Sequence, residues 1–509
     1  MTSNNFATIL YRSSERLPEK VALISEEATL TYSQLAKRTN QAGNLFKEEG
    51  MQKGDRVAIL FSNNFRYFEI IFGLMAIGAV PVPINIKQAN AIVEYIIKDS
   101  GSKILVYTDD LKEKVDEIKP NLPNVKFIPV LLEENGKAEL PGYDELLSRM
   151  PEELEIIDVN KDDLCFLPYT SGSTGKPKGC MLTHEGQFWN VEAQSERDVD
   201  ENDRLLVSLP LYHKNAMASM KMIFYLGASA VILKNVDIPK ILRSIEKYKC
   251  TFLTGVPAYY QMLINYIEES KETYDFSSLR FLSCGSSDAP KELLEKINEI
   301  FKVPVYEGYG LTEGGPIVTS SKKGVQRLGS AGKPVKGCEV KIVDDNGNPV
   351  QPGEIGELVV RNLGVAKGYW NLPDVTAKKI SNDGWLKTGD AAWQDEDGFI
   401  YIVGRKDDMI NVAGENVYPK EVENILLQHP DIAEAAVVAK PHEIKGEVPV
   451  AFVVLKEGKT LSPQQIKDYF IEHGPIYAYP REVFLLDEIP LTGPGKIDRL
   501  ALKKRLEEN

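Results

Sequence analysis

A stretch rich in hydroxyls, glycines and lysines, PYTSGSTGKPKG, occupies residues 168–179. Serial backbone N–H groups and hydroxyls can grip phosphate oxygens, and glycines let the chain come close to them. Lys176 and Lys178 add positive charge. The stretch departs from the common nucleotide loop GxxxxGK[ST], because position 177 is proline and position 179 is glycine. Composition alone therefore leaves a phosphate loop and an ordinary glycine/serine surface loop equally open.

A second stretch, EGYGLTEGG at residues 307–315, combines an aromatic ring (Tyr309), a hydroxyl (Thr312) and a carboxylate (Glu313). A ring can stack on a base, a hydroxyl can reach a phosphate, and a carboxylate can hold Mg²⁺. The alternative is a strand-to-helix turn that Thr312 caps.

Three shorter motifs each have a chemical and a structural interpretation. Asp390 in WLKTGDAAW could accept two ribose hydroxyls or form an Asx turn. Arg405 in GRKDDMI could bind the same sugar or belong to a charged linker, and Lys496 in PLTGPGKIDR could be an ordinary surface lysine. His213 in LPLYHKNAM is typical of a core histidine when taken alone, and without a GxSxG motif no Ser–His–Asp triad can be named.

The elements around these motifs decide where the side chains lie. Helix-like and strand-like segments alternate through the first part of the chain, as in AIVEYIIKDSG followed by KILVYT. This alternation predicts parallel sheets covered by helices, with ligands at the carboxyl ends of the strands. We expect the helix in LTYSQLAKRTNQAGNLFKEEG to be capped by Ser33 and to end at Gly50.

The pattern changes after about Lys323. Asn-Gly in CEVKIVDDNGNPV and Asp-Gly in WQDEDGFIYIVG predict antiparallel hairpins, in a small barrel or a distorted sheet. From GRKDDMI onward, helices and strands make a compact α+β unit of roughly 100 residues. We predict a large domain over residues 1–404 and a small one over 405–509, with the boundary near Gly404–Asp407.

Composition limits the classes of function. A chain of 509 residues exceeds one ordinary core, and a net charge of −14 argues against a nucleic-acid or anionic-membrane surface. Five cysteines without paired spacing predict reduced thiols and no zinc site. The most apolar stretch, residues 57–84, is interrupted by polar residues, and the first ten residues do not read as a secretory leader. We expect a cytoplasmic protein with no integral membrane segment.

The order of the motifs is more specific than any one of them. The hydroxyl/glycine/lysine loop, PLYH, YGLTE, GYW, TGD, GRKDD and a final GK follow one another over nearly the whole chain. In this the chain resembles the adenylate-forming superfamily, which includes acyl-CoA synthetases, aryl-CoA ligases, peptide-synthetase adenylation domains and firefly luciferase. The resemblance implies that a carboxylate attacks the α-phosphate of Mg·ATP, giving acyl-AMP and pyrophosphate. A thiol, usually coenzyme A, then displaces AMP.

The resemblance also implies roles for individual residues. Residues of the first loop would wrap the β- and γ-phosphates: Thr170, Ser171, Ser173, Thr174 and Lys178. An adenine slot, with Tyr309 stacked on the base, would comprise Gly285, Ser286, Ser287, Glu307, Gly308 and Tyr309. Thr312 would contact the α-phosphate, Glu313 would hold Mg²⁺, and the ribose hydroxyls would be bound by Asp390 and Arg405.

The C-terminal motifs match the mobile part of the family. Lys496 matches the lysine that bridges carboxylate and α-phosphate oxygens during adenylation. Asp407 matches the hinge about which the small domain rotates, withdrawing Lys496 and bringing the segment around Gly414 to the site for the thioester step.

The acid itself is less constrained. The family's acyl pocket matches residues 211–217, 256, 283–287 and 310–312, and His213 matches a residue that gates it near the acyl carbonyl. No aspartate lies in residues 212–217, which disfavours α-amino acids, and Asp288 stands where many relatives have proline, so Asp288 or Lys214 could bind a polar group. The motifs are most similar to fatty-acyl and carnitine-type CoA ligases. We expect an aliphatic, fatty acid first, and a polar aliphatic (carnitine-like) or aromatic acid second.

Two alternatives concern the activity as a whole. The acyl group could pass to a carrier protein and not to free coenzyme A, or the fold could serve as a nucleotide-binding sensor without ligase activity. The sensor is disfavoured because the chain retains Lys496, Glu313 and Asp390. We expect a monomer or a homodimer.

Overall fold

The computed structural model describes residues 4–132, 142–170, 176–285, 289–491 and 497–507. The chain divides into two compact units, one of Met1–Val340 with Val360–Leu386 and one of Lys341–Val359 with Lys387–Asn509. The predicted domains, 1–404 and 405–509, concern which residues move together. That division stays a prediction.

The first unit alternates helices with short strands. Its helices are α1 (Thr8–Arg16), α2 (Tyr32–Glu48), α3 (Arg66–Ala76), α4 (Asn90–Ser100), α5 (Lys112–Ile118), α6 (Tyr143–Ser148), α7 (His184–Ser195), α8 (Lys214–Leu226), α9 (Ile238–Tyr248), α10 (Pro257–Ser270), α11 (Lys291–Phe301) and α12 (Pro373–Lys379). Its strands are β1 (Val21–Ile24), β2 (Thr29–Thr31), β3 (Arg56–Leu60), β4 (Val80–Pro83), β5 (Ile104–Thr108), β6 (Lys126–Val130), β7 (Leu164–Phe166), β8 (Tyr169–Thr170), β9 (Lys178–Gly179), β10 (Leu182–Thr183), β11 (Arg204–Val207), β12 (Ser229–Ile232), β13 (Phe252–Gly255), β14 (Phe281–Gly285), β15 (Val305–Tyr309), β16 (Thr319–Ser320) and β17 (Lys333–Pro334).

Two sheets carry this unit. The larger has the order β17-β16-β15-β14-β13-β11-β12-β1-β2, and its central strands from β15 to β1 pair in parallel. The smaller, β4-β3-β5-β6, is parallel throughout. Helices lie between the strands in the chain, as the alternating pattern predicts.

The cap of α2 corrects one prediction. Thr31, and not Ser33, is the N-cap, and its side chain accepts a hydrogen bond from Gln34 N. Gln34 in turn accepts from Thr31 N, which completes a capping box. Ser33 lies inside the first turn. Gly50, two residues past the helix, has the positive φ of 80° expected of a stop signal.

A separate four-stranded sheet is formed by residues 339–405. Strands β18 (Glu339–Val343), β19 (Gly356–Arg361), β20 (Leu386–Gln394) and β21 (Ile400–Arg405) form a four-stranded sheet in that order, where the sequence predicts a small antiparallel barrel or distorted sheet. The predicted Asp-Gly hairpin joins β20 to β21 with Gln394 opposite Ile400.

The second unit ends in a five-stranded sheet covered by helices. Its elements are β22 (Ile410–Val412), β23 (Glu415–Val417), α13 (Pro419–Leu427), β24 (Ile432–His442), β25 (Gly446–Leu455), α14 (Pro463–His473), β26 (Glu482–Leu485) and α15 (Arg499–Glu507). The sheet order is β23-β22-β25-β24, with β26 parallel to β25. The mixed α/β fold class is confirmed. Within the ranges that the structure describes, no helix is long and apolar enough to cross a bilayer.

Candidate active site

The residues on either side of the hydroxyl-rich stretch pair with one another. Strands β8 and β9 pair antiparallel, which places Thr170 opposite Lys178. Tyr169 OH donates to Asp99 Oδ2 over 2.6 Å, and Lys176 Nζ lies 5.1 Å from the centre of the Tyr95 ring. Residues of α4 thus hold both arms of the hairpin.

A distant segment adds a third strand to this hairpin. Trp370 N donates to Gly179 O over 2.8 Å, and Met181 N donates to Gly368 O over 3.0 Å. Successive residues of an extended segment point to opposite faces. Trp370 Nε1 therefore reaches Asp99 O, whereas Tyr369 points toward Lys178, whose Nζ lies 5.6 Å from the ring centre.

Two hydroxyl groups meet at the carboxylate of Glu313. Thr170 Oγ1 donates to Glu313 Oε1 over 3.0 Å, and Tyr369 OH donates to the same oxygen over 3.1 Å. No described residue donates to Oε2. A carboxylate oriented through one oxygen suits Mg²⁺, which proteins bind through one or two carboxylates together with substrate phosphates. The residues present therefore fit a Mg·nucleotide.

The predicted adenine slot lies at the carboxyl ends of two paired strands. Gly285 and Gly308 face one another across β14 and β15, and Tyr309 ends β15. The turn beyond needs a glycine at 310, since a β-carbon there would lie 1.9 Å from Pro316 O. Thr312 begins the single helical turn Thr312–Gly314 that carries Glu313.

Glu307 lies in the middle of β15 and is 9% exposed. Its Oε2 accepts a hydrogen bond from Gly329 N over 2.9 Å. Burial raises the pKa of Glu307 to about 7, against the lowering effect of that hydrogen bond. The carboxylate thus links β15 to the loop around Gly329.

The predicted acid pocket has polar walls. His213 is the N-cap residue of α8, and its ring lies 4.6 Å from that of Tyr212. Lys214 Nζ donates to Gly310 O, and Thr254 Oγ1 at the carboxyl end of β13 donates to Asn215 Oδ1. The first turn of α8 therefore presents an ammonium and an amide toward the strand ends.

The predicted ribose-binding pair belongs to the second unit. Asp390 on β20 lies opposite Arg405 on β21, and Arg405 Nη1 donates to Asp390 Oδ1 over 2.9 Å. Asp390 is 8% exposed, so its carboxylate is held in one orientation. Asp407, the predicted hinge, is exposed in the turn Lys406–Asp408. Gly414 sits in the two-residue turn between β22 and β23, with a positive φ of 95°.

Several predicted site residues lie outside the described residues: Ser171, Ser173, Thr174, Ser286, Ser287 and Lys496, as does Asp288. Their roles stay predictions.

Sequence reasoning missed two residues. Tyr369 lies in the GYW motif, but nothing local indicates that it reaches Glu313, 56 residues earlier. Arg197 lies in the unremarkable sequence QSERDV, yet its Nη2 donates to Ser283 Oγ over 3.2 Å. Arg197 had no signal in the sequence, whereas the GYW motif could have directed attention to Tyr369.

The model of the AMP-binding enzyme family matches residues 10–370, and that of the AMP-binding enzyme C-terminal domain matches residues 421–496. The chain belongs to the AMP-binding enzyme family, and the prediction of an AMP-forming acid–thiol ligase is confirmed.

Relatives with different acids resemble the chain about equally. A feruloyl-CoA synthase of Amycolatopsis sp is 34% identical over 97% of both chains. A long-chain-fatty-acid–CoA ligase of Yersinia pestis is 33% identical over 96% of this chain and 92% of its own. The O-succinylbenzoate coenzyme A synthetase of Bacillus subtilis, solved with ATP and a magnesium ion, is 32% identical with a TM-score of 0.85, over 97% of this chain and 99% of its own.

Proposed function

We propose that the enzyme binds Mg·ATP, joins its α-phosphate to a carboxylic acid to form acyl-AMP, and transfers the acyl group to coenzyme A. The observation that carries this proposal is the cluster at Glu313, whose carboxylate accepts hydrogen bonds from Thr170 and Tyr369, with Lys178 beside the Tyr369 ring. Adenylation brings two anions together, so the site must hold them in line and offset the charge that grows on the α-phosphate.

Each group in the cluster has a separate task. Lys178 supplies a point charge for the β- and γ-phosphates, while Thr170 and the residues after it donate hydroxyls to the same oxygens. Thr312 contacts the α-phosphate. Glu313 would hold Mg²⁺, and the bound ion would neutralise part of the charge on the phosphates.

The remaining nucleotide contacts follow from the strand ends and from β20–β21. Tyr309 stacks on adenine beside Gly285 and Gly308, with Ser286, Ser287 and Glu307 completing the slot. Asp390 accepts the ribose hydroxyls, and its bond from Arg405 fixes the carboxylate for that purpose. Lys496 bridges the acid and the α-phosphate, and Asp407 acts as the hinge that later brings Gly414 to the thioester step.

The acid most consistent with the pocket walls carries a polar or aromatic group. Lys214 donates to Gly310 O and Thr254 donates to Asn215, so the wall that these residues form is polar and suits a polar or aromatic acid better than a plain alkyl chain. His213 lies at the mouth of this pocket and gates the acyl carbonyl. The similarity to both feruloyl and long-chain fatty-acid ligases keeps the aliphatic prediction as the competing candidate.

The test is ATP–pyrophosphate exchange over a panel of acids, with AMP release measured with and without coenzyme A. We expect exchange with aromatic or polar acids and coenzyme A-dependent AMP release. A preference for dodecanoate would favour a fatty acid, release only with a phosphopantetheinyl carrier would favour carrier loading, and exchange with no acid would refute the ligase.

Replacing Lys496 separates the two half-reactions. We expect Lys496→Ala to slow adenylation by orders of magnitude while sparing thioester formation from supplied acyl-AMP. Lys503→Ala removes the same charge from an exposed position on α15 and serves as the control. Equal loss in both half-reactions would contradict the role of Lys496.

A further inference from the structure

Arg197 is a half-buried arginine that contacts the large parallel sheet. It follows the C-terminal end of α7, and its Nη2 donates to Ser283 Oγ over 3.2 Å. A β-carbon on Gly308 would lie 3.8 Å from the same Nη2. The guanidinium therefore lies against Ser283, in the middle of β14, and close to Gly308, the residue before the last of β15.

Among the residues that the structure describes, this guanidinium has no acidic partner. No carboxylate among the described residues lies within ion-pair distance of Arg197, and its buried Nε has no hydrogen-bond acceptor there. Burial lowers the pKa of Arg197 to about 10, as expected for a cation without a counter-ion. Buried guanidinium groups are ordinarily paired with oxygen acceptors, so unused donors at this position are unusual.

The position of Arg197 fixes a distance from the reacting carboxylate. Ser283 lies two residues before Gly285, the last residue of β14, and both lie on the same face of the strand. Two residues of strand span about 7 Å. Ligands of parallel sheets bind at the strand ends, so an acid activated there reaches Ser283 and Arg197 with roughly one benzene ring or a short alkyl chain.

We propose that Arg197 and Ser283 form the floor of the acid pocket and bind an oxygen acceptor, a second carboxylate or a phenol, at the far end of a short acid. This inference rests on the proposed function, because the strand ends must hold the reacting carboxylate. An apolar chain at this floor offers the guanidinium no oxygen acceptor, which disfavours long fatty acids.

Matched acid pairs test the floor directly. The pairs are hexanoate with hexanedioate and benzoate with 4-hydroxybenzoate, and the readout is kcat/KM for AMP release. We expect the enzyme to prefer the second member of each pair by about 10- to 100-fold, the range for hydrogen bonds to a charged group. Dodecanoate should be a poorer substrate than hexanedioate.

The variants are Arg197→Met, Arg197→Lys and Ser283→Ala, with Arg243→Met as the control because Arg243 is 66% exposed at its side chain. Arg197→Met should reduce the preference to about twofold or less, and Arg197→Lys should restore part of it. Ser283→Ala should weaken the preference, and Arg243→Met should leave it unchanged. The ratio within one preparation is independent of the fraction of folded enzyme.

Three results overturn the inference. A preference that Arg197→Met leaves intact, or a wild-type preference for hexanoate or dodecanoate, shows that Arg197 does not read the acid, while the ligase function stands. Failure of every acid in the wider panel removes the proposed function and this inference with it.

Discussion

The hydroxyl of Tyr369 should govern how tightly the enzyme binds the metal–nucleotide complex. Tyr369→Phe removes the donor to Glu313 Oε1 but keeps the ring beside Lys178. A hydrogen bond to a charged group contributes about 1.5–3 kcal/mol. Glu313 is half-buried and keeps its bond from Thr170, so the lower end applies, which corresponds to about tenfold weaker binding.

A second substitution separates the hydroxyl from the ring. Tyr369→Leu also removes the cation–π contact at 5.6 Å from Lys178 Nζ. Such a contact contributes about 0.5–1 kcal/mol at an exposed site, or roughly a further two- to fivefold. The additional loss should appear in the KM for ATP, because Lys178 is proposed to bind phosphates and not the metal.

The assay is pyrophosphate exchange as a function of free Mg²⁺, paired with binding of Mn²⁺ and a non-hydrolysable ATP analogue followed by electron paramagnetic resonance. Glu313→Gln sets the scale for complete loss of the carboxylate. If Tyr369→Phe binds Mn²⁺ as tightly as the wild type, Tyr369 does not orient Glu313. If the variant binds Mn²⁺ more tightly, Tyr369 competes with the metal for the carboxylate. If Glu313→Gln also has no effect, the metal site itself is misplaced.

Two predictions concern buried titratable groups. The pKa of Glu307 is raised to about 7, so the stabilisation that its neutral form provides is complete below about pH 4.3 and is lost as the pH rises through 7. Glu307→Gln should therefore have a higher free energy of unfolding than the wild type at pH 8, by no more than about 3 kcal/mol, and should show no such gain at pH 5. The same dependence of melting temperature on pH in both proteins would refute this. Lys221 is 3% exposed, and burial lowers its pKa to about 8, while its Nζ donates to Gln187 Oε1 over 2.6 Å. Replacing both residues (Lys221→Met with Gln187→Leu) should raise the free energy of unfolding at pH 7 by about 1–4 kcal/mol. Lys221→Met alone should raise it less, because the side chain of Gln187 then stays buried without its partner. A lower melting temperature for the double variant would show that the ammonium stabilises the fold.

Local patterns predicted the parts of the fold that depend on local physics. The alternation of helices and strands predicted the helix α4 and the strand β5 that follows it, because burial on both faces produces short apolar runs next to amphipathic helices. The cap of α2 was misplaced by two residues. Thr31 and Ser33 are both good capping types, and only the extended backbone of Thr31, with φ −74° and ψ 166°, selects between them.

The contacts within the candidate site depend on long-range folding. The motif order placed Thr170 and Glu313 in one enzyme, but not the hydrogen bond between their side chains, which are 143 residues apart. Arg197 and Ser283 are 86 residues apart and belong to no motif. Such pairings follow from the register of β14 against β15 and from the packing of α7, which no window of sequence encodes.

The segment ending at Trp370 also determines when nucleotide binding can appear while the chain is being synthesised. The hairpin of β8 and β9 is complete in sequence by Gly179, but the segment that pairs with its edge emerges almost 200 residues later. A nascent or truncated chain that stops short of Lys367 contains Thr170 and Lys178, yet lacks the segment whose backbone pairs with Gly179 and Met181. Closing so long a loop is slow, so nucleotide binding should emerge late and all at once as the chain leaves the ribosome.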